Sequence, residues 1–307
     1  MTDKEKTYSH MRKEFYEIYR NKIVPTVKKY KFIRVKELKE TIFISVLLMF
    51  IGIIILFFAY KCSHRTDTSL VGVWGLLCCL YSIGMIFRFK KCFENKIKNN
   101  IMNEICKCFG NLEWSGNSYK NGNIFADSNV IPNFKSEYYD DVFQGYYKDV
   151  TIDIVEASYS DKGNVFKGVI VKLDMNKHFT GHTVIKPSGL MHTSPSEELH
   201  RTELEDVEFN KKFDVFTNDE VDARYLITPS FMERLKNMKT AFLASSVSCA
   251  FYGNLLIIAL PTNKDLFSIC SLDKPIDDSK QYFQMYEEIV SIIKLIDHFK
   301  LNQKIGL

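Results

Sequence analysis

Two stretches, IFISVLLMFIGIIILFFAY at 42–60 and LVGVWGLLCCLYSIGMIF at 70–87, run for 19 and 18 residues without a charged side chain. At about 1.5 Å per residue, each forms a helix close to the ~30 Å hydrocarbon thickness of a bilayer. One such run fits the core helix of a soluble protein. Two, separated only by KCSHRTDTS, predict a membrane-spanning hairpin. The polar residues 1–41 ahead of the first run exclude a signal peptide. Gly52, Gly72, Gly75 and Gly84 suit close packing of two membrane helices. Trp74, Tyr60 and Tyr81 suit interfacial or helix-facing positions. Neither run carries a charged residue, which disfavours a channel or transporter built from oligomerised hairpins.

Charge orients the hairpin. Residues 1–41 hold 12 Lys/Arg against 6 Asp/Glu, and the excess continues after the second run with Arg88, Lys90, Lys91, Lys96 and Lys98. The connecting loop holds only Lys61 and Arg65. The positive-inside rule therefore predicts both termini in the cytoplasm of a bacterial inner membrane. The rest of the chain, 108–307, is acidic, with 21 Lys/Arg against 28 Asp/Glu, which argues against a nucleic-acid partner. Eight cysteines, none in a CxxC pair, fit a reducing compartment; Cys106 and Cys108 alone make a weak metal signal.

The predicted organisation has six parts: a basic amphipathic juxtamembrane helix over 1–41, spans at 42–60 and 70–87 around an external loop at 61–69, a helical connector over 88–110, and a cytoplasmic domain over 111–307. In the first part Phe15, Ile18, Tyr19, Ile23, Val27 and Tyr30 form a stripe that Pro25 should kink or interrupt. That stripe fits a helix lying on the anionic leaflet or one packed on protein. In the connector Phe93, Ile97, Ile101, Ile105 and Cys108 mark one face, which Gly110 can close. Alternation then predicts strands near 138–157, 165–175, 181–187 and 207–216, and a pair around Gly253-Asn254. Asn121-Gly122 reads as a hairpin dipeptide, and residues 188–203 as an exposed loop. A last helix from about Asp278 carries Tyr282, Tyr286, Ile289, Ile293, Ile296 and Phe299 on one stripe. The fold class is α+β: a helical hairpin, then a mainly antiparallel sheet with helices on one face.

The densest polar cluster is KFDVFTNDEVDARYLITPSFMERL, 212–235. Thr217 as N-cap with Glu220 three residues on makes a capping box, with Phe216 and Val221 as a hydrophobic staple. Glu220 and Arg224 stand at i,i+4, the favourable order for an ion pair. Thr228 reads as a second N-cap, with Pro229 at the first helical position and Ile227 and Met232 as its staple. Asp214, Asp222, Arg224 and Tyr225 are left over. They could bind a ligand, with an aspartate as base and Arg224 as anion clamp, or tie a helix to a strand. His178 and His182 could share a zinc ion only on one helix, which Gly181 and the β-like HTVIK oppose; His192 and His200 lie further on. No phosphate loop, dinucleotide fingerprint, HExxH or GxSxG is present, so no catalytic residue, cofactor or metal is expected.

The stretch VEFNKKFDVFTNDEVDARYLITPSFMERL (207–235) resembles a bacterial family known as domain of unknown function 3137. FKGVIVKLDMNKHFTGHTVI (166–185), AFYGNLLIIALPTNKDLF (250–267), the last helix and the twin apolar runs extend the likeness over nearly the whole chain. The resemblance implies an uncharacterised, membrane-anchored protein and no mechanism. Its expected partners are the lipid bilayer and a protein partner or second copy. The leading expectation is a non-enzymatic interaction or scaffold domain. The rival is a tethered enzyme or anionic-ligand sensor using Arg224 with Asp214 or Asp222.

Overall fold

A computed structural model describes residues 3–62, 69–148, 150–175, 178–189, 194–267, 269 and 277–299. Most of the predicted external loop, the middle of loop 188–203, His192, Cys270 and the residues after 299 lie outside them. The chain divides into two compact units, one built from Arg12–Glu104 with Ser268–Ser279 and the other from the remainder.

The first unit is helical. Helix α1 (Asp3–Ile18), a π-helical turn (Tyr19–Ile23) and α2 (Val24–Cys62) follow one another without a break, and α3 (Ser69–Cys106) comes next. Pro25 does not end the helix. Its ring would strike the carbonyl of Asn21, four residues back, in a regular α-helix. Asn21 lies inside the π turn, where the Val24 N–H bonds to the Tyr19 carbonyl and widens the backbone. Residues 24–41 are therefore helical and continuous with the first apolar stretch.

Helices α2 and α3 pair antiparallel. Near one end the rings of Tyr30 and Phe93 meet at 6.2 Å and the Asn100 amide donates to the Tyr30 hydroxyl at 3.0 Å. Further along Lys96 approaches Glu37 at 3.5 Å. Thr41, Ser45, Gly52 and Ala59 form the buried line of α2, and small residues of this kind let backbones approach closely. A Cβ on Gly52 would stand 2.9 Å from the Gly75 carbonyl, and one on Gly75 would stand 3.0 Å from the Gly52 carbonyl. Both glycines are thus required by the spacing of the pair. Gly84 faces open space.

The second unit is a nine-stranded, wholly antiparallel sheet in the order β1-β2-β3-β4-β9-β8-β5-β7-β6. Its strands are β1 (Asn111–Gly116), β2 (Ser136–Tyr147), β3 (Val150–Ser160), β4 (Asn164–Asp174), β5 (Thr183–Pro187), β6 (His200–Thr202), β7 (Phe213–Thr217), β8 (Ser248–Tyr252) and β9 (Leu255–Pro261). Gly253, at φ +63, turns β8 into β9 where the sequence places a hairpin. Short helices α4 (Ile124–Asp127), α5 (Val207–Asn210) and α6 (Glu220–Leu226) and longer ones α7 (Pro229–Ala241) and α8 (Ser279–Phe299) complete it.

Three expectations are corrected. Residues 207–210 are helical and not extended, because the Asp206 carboxylate accepts from the Glu208 and Phe209 amides and caps α5. Asn121-Gly122 is no strand hairpin; Asn121 takes φ 70 and its carbonyl accepts from Ile124, leading into α4. The sheet is covered on both faces. On one, Val142, Ala157, Tyr159, Phe166, Ile257 and Ala250 pack with Tyr119, Phe125, Val130 and Ile131 from the α4 region. On the other, Phe251 meets Phe231 of α7 and Phe143 meets Phe267. Helix α8 is buried around most of its circumference: Met285, Glu288, Val290, Ile292 and Leu295 join the expected stripe. The side chain of Phe299, the last residue of that stripe, lies outside the described residues.

Candidate functional site

The cluster at 212–235 resolves into a junction between sheet and helices. Thr217 does not cap α6. It is the last residue of β7, paired with Thr183 of β5, and the two hydroxyls lie 2.9 Å apart. The cap is Asp219, whose carboxylate accepts from the amides of Val221 and Asp222 at 3.1 and 3.0 Å. The Asp222 amide, then the Thr180 hydroxyl and the Val221 amide, hold the Asp219 carboxyl below the usual carboxylate range. Glu220 consequently sits at the first helical position, and no capping box closes. Val221 is 81% exposed, so the predicted staple with Phe216 is absent as well. Thr228 does cap α7, accepting from the Phe231 amide at 3.3 Å with Pro229 at N1, and Ile227 and Met232 are buried.

The four leftover residues do not converge. Asp214 is buried on β7 and accepts from Arg201 Nε at 3.1 Å and the Gly189 amide at 3.4 Å. Asp222 accepts from the Gly181 amide at 3.2 Å, which ties α6 to the chain entering β5. Arg224 points to the exposed side of α6 and reaches Glu220 at 3.2 Å. Tyr225 is 56% exposed. No described contact joins Arg224 to either aspartate, and none of the four lines a described cavity. An anion clamp needs the guanidinium within reach of a shielded space, and Arg224 has water instead. Of the histidines, His182 is hydrogen-bonded to the Ser128 carbonyl at 2.9 Å, its ring lies tilted against Tyr252 at 4.9 Å, and burial lowers its pKa.

A different acidic group is assembled only by the fold. The β2–β3 register slips between Tyr139 and Val142, so Asp140 and Asp141 together oppose Glu156. This is a β-bulge, which re-aims side chains. Asp141 turns inward, fully buried, and accepts from the Trp114 indole at 2.7 Å. Asp265, from the turn after β9, brings its carboxylate to both, and one oxygen from each lies within 4.8 Å of the others. An adjoining cavity of about 300 Å³ is lined by Tyr138, Asp140, Glu156, Ser158, Lys167 and Asp265. Carboxylate oxygens are the ligand type a hard divalent cation takes, although acidic groups on sheet margins also gather without one. The DD dipeptide was the local signal. Asp265 joins it only through strand order.

The family model described as Protein of unknown function (DUF3137) matches residues 164–301, a narrower stretch than the sequence resemblance covers. It contains the 212–235 junction and α8. No curated protein matches the chain. The crystal structure of the mycobacterial trehalose monomycolate transport factor A, TtfA, aligns over 64% of this chain and 91% of that one, at 10% identity and a TM-score of 0.36. A likeness that remote says nothing about the role of this chain.

Proposed function

We propose, for a chain that belongs to the DUF3137 family, that α2 and α3 anchor an α+β interaction domain at the bacterial cytoplasmic membrane. Both termini face the cytoplasm, and the sheet domain serves as a scaffold for a protein partner or a second copy. The observation that carries the reading is exposure. Two helices are long and apolar enough to cross a membrane, yet only 17% and 11% of their most apolar windows are buried. A core helix of a soluble protein hides that surface. An exposed apolar face of this extent calls for lipid or a partner. The lysines at the same end of both helices support the orientation.

A scaffold role is favoured over the anion-sensor alternative because Asp214, Asp222 and Arg224 are each engaged locally and separately. The test is twofold. Membranes washed with alkaline carbonate should retain the chain, and release into the supernatant would overturn the anchor. Cross-linking in intact membranes, followed by denaturing purification, should give one heavier species of fixed stoichiometry. A chain recovered only as monomer would overturn the scaffold.

A further inference from the structure

Beside the cavity at the acidic bulge, sharing Lys167 with it, lies a second one of about 440 Å³. Three segments build it: the start of β4, the turn leaving α7, and the end of β9. All lie inside the family-matched stretch. The segments are hydrogen-bonded to one another. Ser245 donates to the Pro261 carbonyl through both its amide (2.8 Å) and its hydroxyl (3.1 Å), and the Thr262 amide donates to the Lys167 carbonyl at 3.0 Å. The Thr262 hydroxyl donates to the Leu243 carbonyl at 3.3 Å and accepts from the Lys264 amide at 3.2 Å. These bonds engage the hydroxyls, and the charged residues that line the space are Lys167 and Lys264. Neither makes an ion pair with a described residue, and no carboxylate is among the described lining residues. Lys167 also lines the neighbouring cavity of Asp140, Glu156 and Asp265, so it stands between the acidic group and this space.

The apolar wall is also unusual. Helix α7 ends in a Schellman arrangement, with the Ala244 amide on the Lys239 carbonyl at 2.9 Å and the Leu243 amide on the Thr240 carbonyl at 3.1 Å. The left-handed residue of that motif is ordinarily glycine. Here it is Leu243, at φ +50 and 44% exposed, with its side chain on the cavity wall. A half-exposed leucine in a left-handed position where glycine is the unstrained choice carries a local backbone cost, and it leaves an apolar side chain at the margin of the space.

We propose that this cavity binds a small organic anion, a phosphate or carboxylate on a compact apolar body, with Lys167 and Lys264 taking the charge and Leu243 the apolar part. The space has the size of small-ligand sites. The test is calorimetry on the full chain in phosphatidylcholine nanodiscs, using phenyl phosphate, inorganic phosphate and phenyl glucoside. Phenyl phosphate should bind with a Kd below about 1 mM. Inorganic phosphate should bind at least about tenfold more weakly and the glucoside not measurably. Lys167→Gln and Lys264→Gln should each weaken phenyl phosphate about tenfold. Leu243→Gly should bring phenyl phosphate down to the level of inorganic phosphate while raising the thermal midpoint, which separates lost binding from lost folding. Phosphatidylglycerol added to the discs should compete only if the natural anion is a lipid headgroup; absence of competition assigns it to a soluble compound. No heat with phenyl phosphate, equal binding of the glucoside, or affinity unchanged in both lysine variants overturns the proposal.

Discussion

Glu288 in α8 has no exposed surface. Its Oε1 accepts from Gln284 at 3.0 Å, and its Oε2 has no hydrogen-bond partner. Burial raises its pKa to about 8, against a small lowering from the Gln284 hydrogen bond. Between the ordinary glutamate value and 8 the folded chain binds a proton that the unfolded chain releases. Stability therefore falls as pH rises across that window, and the contribution is fully present only below it. Glu288→Gln should flatten this part of the thermal midpoint against pH profile and leave a more stable protein at pH 8 than the parent. An unchanged slope would show that Glu288 is solvated. At the 212–235 junction, Asp219→Ala and Thr228→Ala should each cost about 1 kcal/mol of unfolding free energy by chemical denaturation. Arg224→Ala should stay within about 0.5 kcal/mol, since its ion pair is in water. The Thr-Pro cap was legible because a threonine before N1 proline has one local use. The Asp219 cap was not, because Thr217 offers the same chemistry two residues earlier. Cross-strand pairing with Thr183 decides between them, and no local pattern reports it.

Among the elements, the α2–α3 pair depends on close backbone approach at Gly52 and Gly75. Gly52→Leu should force the helices apart and cost about 1–3 kcal/mol, read as a lower thermal midpoint in detergent. Gly84→Leu, with open space around its Cβ, is the control and should leave the midpoint unchanged. Equal losses in both would remove the packing argument. The four glycines are alike on paper; the antiparallel offset of the helices makes two of them matter. Pro25 teaches a related lesson. Proline forbids a regular helix around it, and the chain answers with a π turn one residue upstream of Val24 and keeps its course. Periodicity can locate such a residue, but not which accommodation the backbone chooses.

For the whole molecule, a reporter fused after Leu307 should score as cytoplasmic, and one inserted between Lys61 and Ser69 as external; the reverse pattern would overturn the charge-based orientation. The apolar runs, the helical stripes, the antiparallel character of the sheet and the family were legible along the chain. Each depends on residues within about two turns or one strand of one another, where spacing alone dictates which side chains share a face. The order of nine strands was not, nor was anything that follows from it. Asp140 and Asp141 meet Asp265, and Lys167 shares a cavity with Leu243 and Lys264, because β4 pairs with β9 across a long excursion of chain. Arg224 looked as promising as any residue in the sequence, and its helix turns it to solvent. Sequence settles which faces must be covered, through burial energies that act locally. Which distant segments cover them, and so which charges come together, is a property of the tertiary packing.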